Sequence, residues 1–286
     1  MLAPVSKNLI ITMHDWLEST TGAYIREWEE AHYDSLTADI FGFHAIQIGF
    51  PSIRSLQESR IKNRWISCAS RSEISRCNSH VDTSCNQPAP VRVSVLHRFE
   101  ELPFSSQSID LVVLPHVLEF AESPHQILRE VERILIPEGK LIISGFNPAS
   151  LWGIRQAMGK LSGAHFLPEY AEFISLSRIK DWLKLLDLEI SRGHFGCYIP
   201  PCKTRKWQSR FSFMEKTGER WWPYLGAVYM VEAVKRVRSM RIIGPAVKKR
   251  PRPVFHNIPV NNQSIQEKGR QNNNASSSHG LSEKKT

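Results

Sequence analysis

The sequence predicts an α/β fold, a seven-stranded and mostly parallel sheet with helices on both faces. Three observations carry this. Between residues 101 and 148 a turn, an apolar run, an amphipathic helix, a Pro-Glu-Gly turn and a second apolar run follow without a gap. That order is a βαβ unit of a parallel sheet. The run at 110–114 is apolar after its Asp, as suits a strand buried on both faces. Further short apolar runs flank the unit, separated by turn residues and helical patterns.

Residues 16–39 read as a helix, because Tyr24, Ile25, Trp28, Ala31 and His32 recur at helical spacing among charged neighbours. The first strand is 44–48, ended by Gly49-Phe50-Pro51. Ser52 is a candidate N-cap for a short helix over 52–60. Residues 65–69 form a second strand. Residues 70–90, rich in Ser and Asn with few large apolar side chains, read as a flexible insertion. Residues 91–95 and 110–114 are the third and fourth strands. Ser123 before Pro124 marks a helix start, with the Ser hydroxyl accepting from a free amide and Pro where no donor is needed. Ile127, Leu128, Val131, Ile134 and Leu135 form its buried stripe. Pro137-Glu138-Gly139 turns the chain into a fifth strand at 140–144. A helix at 178–186, capped by Ser177, leads to a sixth strand opening at Leu188 and Ile190, and 227–234 is the seventh.

With 286 residues and 41% hydrophobic content, the chain can bury one large core. No apolar run is long enough to span a membrane. Five cysteines, odd in number and irregularly spaced, suit reduced thiols of a cytoplasmic protein. No CxxC-type pair offers a metal site. The net charge of +9 is local: residues 203–252 hold 14 Lys+Arg against 3 Asp+Glu, while residues 1–202 hold 19 against 23. Such a segment is a solvated basic face or a site for nucleic acid or another anionic surface. Its aromatics, Trp207, Trp221 and Trp222, either stack on bases or anchor the 197–223 insertion to the sheet. From about residue 254 the composition is that of a disordered tail. The expected organisation is a helical cap over 1–42, a domain over 43–240 and a basic tail over 241–286.

The residues LPF at 102–104, SID at 108–110, VLPHVLEF at 113–120 and PEG at 137–139 carry a specific resemblance. Over 102–147 the chain resembles the class I S-adenosylmethionine-dependent methyltransferases, and more loosely over 43–237. WEE near the start and RWWP near the end suggest similarity to a bacterial subgroup. The resemblance implies a Rossmann-like sheet, S-adenosylmethionine across the C-terminal ends of the first four strands, and methyl transfer to an unidentified small-molecule acceptor. The implied cofactor-binding residues are Gln47, Gly49, Phe99, Glu100, Leu102, Leu114 and Pro115.

The chain departs from the family pattern at three points. Gln47 stands for the acid of the glycine-rich motif, with Pro51 and Ile53 for two of its glycines. Ser67-Cys68-Ala69-Ser70 follows the second strand without a carboxylate, and Arg98 replaces the Asp after the third. A methyltransferase fold serving as a scaffold or regulator, and an RNA methyltransferase using 203–252, are the alternative readings.

On the acceptor side, His116 and Glu119 follow the fourth strand at a spacing that shares a helical face. His116 is the candidate general base, since its ordinary pKa is near neutral, or else a histidine bonded to backbone at a helix start. Glu29, Glu30 and Asn147 are candidates to line the acceptor pocket. Nothing in the sequence fixes the oligomeric state.

Overall fold

The computed structural model describes residues 13–68, 93–97, 99–162, 172–201, 210–211 and 213–237. The chain divides into units Met1–Ser239 and Met240–Thr286, and every described residue belongs to the first. The expected insertion at 70–90, most of the 197–209 segment, Arg98 and the expected tail lie outside the described residues.

Seven strands form one sheet: β1 (His44–Ile48), β2 (Asn63–Cys68), β3 (Val93–Leu96), β4 (Ile109–Pro115), β5 (Leu135–Phe146), β6 (Leu188–Gly196) and β7 (Val228–Lys235). Their order is β3-β2-β1-β4-β5-β7-β6. The first five pair in parallel, and β7 runs antiparallel between β5 and β6. The order reverses beside β1, so a crevice opens at the C-terminal ends of β1 and β4. Helices α1 (Thr20–Thr37), α2 (Pro124–Ile134), α3 (Leu151–Ser162), α4 (Leu176–Leu185) and α5 (Phe213–Trp221) complete the unit.

β4 is central and apolar, with Leu111, Val112, Val113 and Leu114 fully buried. α2 buries Ile127, Leu128, Val131 and Ile134 of the predicted stripe, whose fifth residue, Leu135, instead opens β5. Lys235 closes the C-terminus of α2, donating to the Glu132 and Leu135 carbonyls at 2.6 and 3.1 Å. A cation there complements the helix dipole.

Four local expectations are corrected. Residues 52–60 form turns, not a helix, because the Gln47 side chain takes up the carbonyls of Gly49, Phe50 and Ile53. Ser123 caps α2 through its backbone: its carbonyl accepts from Gln126 and Ile127, and its hydroxyl makes no cap bond. Ser175, not Ser177, precedes α4, again with no side-chain cap bond. β5 begins at Leu135, not 140. Leu135 pairs Ile109 and Lys140 pairs Leu111, so the Pro137-Glu138-Gly139 turn loops out within the strand, with Glu138 at φ 63°.

Candidate active site

α1 buries one face. Ser19 caps it, its hydroxyl accepting from the Gly22 amide at 3.1 Å. Ile25, Glu29, Tyr33 and Leu36 then recur on the buried side. Glu29 is a charged residue in that row and is fully buried. Such a group requires a partner, and β4 supplies it.

His116 follows β4 in the left-handed region at φ 53°. Its amide donates to the Ser144 carbonyl at 3.1 Å, which holds the residue to the end of the sheet. A 3-10 turn over Val117–Glu119 then folds Glu119 back onto it. His116 Nδ1 lies 3.0 Å from Glu119 Oε2, and Nε2 lies 2.9 Å from Glu29 Oε1. All three side chains are buried. Glu119 Oε1 also accepts from the Phe146 amide. One imidazole thus joins α1, the end of β4 and the end of β5.

Burial works against a charged ring, but the Glu29 carboxylate and the contacts to both glutamates outweigh it and push His116 up to about 10. It is an imidazolium at neutral pH, with Nδ1 hydrogen-bonded to Glu119 and Nε2 ion-paired with Glu29. Burial raises Glu119 above the usual carboxylate range despite the imidazolium beside it. Tyr33, Cys197 and Tyr229 surround the array, and burial raises each of them well above its ordinary value. The neighbouring Glu29 carboxylate adds to the rise at Tyr33 and Cys197, and Glu119 adds to that at Tyr229. Glu29 Oε2 and the hydroxyls of Tyr33 and Ser144 are buried without a regular hydrogen bond among the described residues.

The second half of the site lies at the ends of β1 and β2. Gly49 adopts φ +74°, and its amide donates to the Ser67 carbonyl at 2.8 Å. A Cβ on Gly49 would stand 2.8 Å from Val117 and 3.3 Å from Phe99. Only glycine satisfies both the dihedral and the space. The Gln47 amide group is wholly engaged in bracing the loop: Nε2 donates to three carbonyls at 2.9–3.2 Å and Oε1 accepts from Ser55 at 2.7 Å. Leu102 is fixed by α2, its amide donating to Glu130 and its carbonyl accepting from Arg133.

The structure therefore brings together His116, Glu119 and Glu29, and separately Gly49 and Phe99. It separates others. Glu30 points away from the array and accepts from the Arg54 amide at 3.2 Å. Asn147, expected to line the acceptor pocket, instead clamps the chain before β7, donating to the Tyr224 and Gly226 carbonyls at 2.8 and 3.0 Å. Gln47 is a positioning residue for the loop. Leu114 and Pro115 are buried at the end of β4, and Glu100 is half-buried in the turn after β3. Sequence reasoning missed Tyr33, Ser144 and Tyr229. Tyr33 was findable, four residues after Glu29 on one helix face. Ser144 and Tyr229 enter through strand register, opposite Pro115 and Gly145, which no local pattern announces.

The crevice residues fit S-adenosylmethionine on three points. Gly49 keeps a left-handed backbone at φ +74° and puts no side chain of its own into the crevice. The Ser67 hydroxyl, at the end of β2, is buried without a partner among the described residues. Phe99, Leu102 and Leu118 are buried apolar residues that follow β3 and β4, of a kind suited to an adenine face. Phe99 and Val117 close directly over Gly49, so they must part there to admit a ligand.

A model of the methyltransferase domain matches residues 70–143. The chain is 32% identical over 183 residues to YafS, an uncharacterised protein of Escherichia coli, covering 63% of this chain and 68% of that one. A SAM-dependent methyltransferase of Thermotoga maritima superposes with a TM-score of 0.56 at 15% identity, covering 81% of this chain and 99% of that one. One from Archaeoglobus fulgidus superposes with a TM-score of 0.52 at 15% identity, covering 73% and 94%. With its reversing parallel sheet, its glycine turn after β1 and this kinship, the chain belongs to the class I S-adenosylmethionine-dependent methyltransferases.

Proposed function

We propose that this methyltransferase acts on a small-molecule acceptor that meets the Glu29–His116–Glu119 array above the ends of β4 and β5. The observation that carries the reading is the array itself: three ionisable side chains from two elements, fully buried, at the sheet end where this fold presents its ligands. The Gly49 backbone, the Ser67 hydroxyl and the apolar side chains of Phe99, Leu102 and Leu118 are the groups that would hold the cofactor. When bound, it supplies an electrophilic methyl group.

The protein's own residues orient the acceptor, exclude water and receive a proton where the acceptor must lose one. A general base needs a free lone pair. The His116 imidazolium has none, since both its N–H groups face carboxylates, so the base role expected of it passes in this proposal to Glu29. Glu29 Oε2 is the unpartnered oxygen, and His116 positions the carboxylate through Oε1. The Tyr33 and Ser144 hydroxyls, buried beside it and paired with each other, are the groups to orient the acceptor.

The test is transfer of labelled methyl groups into a panel of acceptors and a small-molecule cell extract. Glu29→Gln should lower kcat by roughly a hundredfold or more while leaving cofactor affinity unchanged. His116→Gln should lower kcat less, because the carboxylate survives without its support. Equal losses of affinity and turnover in both variants would make the array purely structural. Labelling confined to RNA would favour the RNA methyltransferase reading.

A further inference from the structure

The array holds more negative charge than positive. Two carboxylates, Glu29 and Glu119, meet one imidazolium, and all three side chains are buried. Both Glu119 oxygens are engaged, Oε1 by the Phe146 amide and Oε2 by His116 Nδ1, an arrangement that suits the ionised group. Glu29 Oε1 is ion-paired with His116 Nε2 at 2.9 Å, while Oε2, equally buried, has no hydrogen-bond partner among the described residues. A surplus negative charge in such a place is costly unless a cation meets it.

Among the described residues the chain supplies no further cation there. Lys235 is the only lysine or arginine among them that is buried, and it sits on the Glu132 and Leu135 carbonyls at the opposite end of β5. Nor do the described residues form a group of His, Cys, Asp and Glu side chains that could hold a metal ion. The rings beside the array are aromatic and uncharged. Phe146 lies 4.4 Å from the His116 ring, centroid to centroid, and Phe173 and Trp16 pack on Phe146 at 5.5 and 5.8 Å. Aromatic faces attract a cation and give an anion no such support. Burial is the main cause of the raised Tyr33, Cys197 and Tyr229, but a carboxylate of the array adds to the rise at each, so the field around it is negative.

We propose that the acceptor is an amine, bound as its ammonium with one N–H directed at Glu29 Oε2. The proposal rests on the array being the acceptor site. Glu29 Oε2 takes a proton from the ammonium, which frees the nitrogen lone pair. That pair forms the N–C bond to the methyl group as the C–S bond breaks and its electrons stay on sulfur. The nitrogen ends as a methylammonium, and Glu29 loses its proton to solvent before the next turnover. A carboxylate or phenolate acceptor would instead bring a second anion beside Glu29 with no cation to meet it.

The experiment incubates the full chain with methyl-labelled S-adenosylmethionine and a small-molecule cell extract, then separates the labelled products by ion exchange at neutral pH. A parallel extract is first N-acetylated with an amine-selective reagent, which turns primary and secondary amines into neutral amides. Label should enter products retained on the cation exchanger, and prior acetylation should remove most of that incorporation. In Glu29→Gln the apparent KM, measured in dilutions of the extract, should rise about tenfold or more in addition to the loss of kcat, because a neutral amide no longer meets the ammonium. Unchanged affinity for S-adenosylhomocysteine would show that this variant is folded. Labelled products that pass the cation exchanger, labelling indifferent to acetylation, or an unchanged KM in the variant would overturn the amine assignment and leave the acceptor site standing. No label in any fraction would overturn both.

Discussion

Gln47 shows how one residue type decides a local conformation. It stands where relatives of this fold carry an acid, yet its side chain is a donor to three carbonyls of the loop that follows. An acid here could not make those bonds. Gln47→Glu should therefore destabilise the protein by about 3 kcal/mol or more, through unsatisfied buried groups and a carboxylate held against carbonyl oxygens. Chemical denaturation with the slope unchanged would report it. A Glu variant as stable as wild type would mean that the loop rearranges freely. The residue types were legible in the sequence and their direction was not. That Gly49 needs a left-handed backbone follows from a lone glycine before Phe-Pro. That Gln47 turns inward depends on carbonyls two, three and six residues along the chain, which no pattern displays.

At the scale of elements, the Glu29–His116–Glu119 array ties α1 to β4 and β5, and the tie is a proton equilibrium. His116 has its folded pKa raised from 6.5 to about 10. The folded state therefore holds a proton that the unfolded state releases. Its contribution is fully present below pH 6.5 and is lost as pH rises towards about 10. Glu119, raised by burial, acts in the same direction at lower pH. Melting temperature should fall between pH 7 and 10 more steeply for wild type than for His116→Gln. Parallel profiles for the two would place the charge elsewhere. The sequence indicated the His116–Glu119 pair because their spacing is local. Glu29 was only a candidate, because its approach depends on how α1 crosses the strand ends. Residues 52–60 misled for a related reason: their composition allows a helix, and a tertiary contact from β1 prevents it.

For the whole molecule, the sheet and the succession of its strands along the chain were legible because β1, β4 and α2 carry strong, agreeing signals: buried apolar runs, a 3.6-residue stripe and turn residues between them. The antiparallel placement of β7 between β5 and β6 was not, since register between residues 32 to 94 positions apart leaves no local trace. The same architecture opens a crevice at the ends of β1 to β4. Its role is tested most directly by titration calorimetry with S-adenosylhomocysteine, comparing the wild type with Gly49→Asp. Saturable one-site binding is expected, lost or strongly weakened in the variant, whose added carboxylate would meet Val117 and Phe99 above a left-handed backbone. No heat of binding at millimolar ligand, or equal affinity in a folded Gly49→Asp protein, would contradict it.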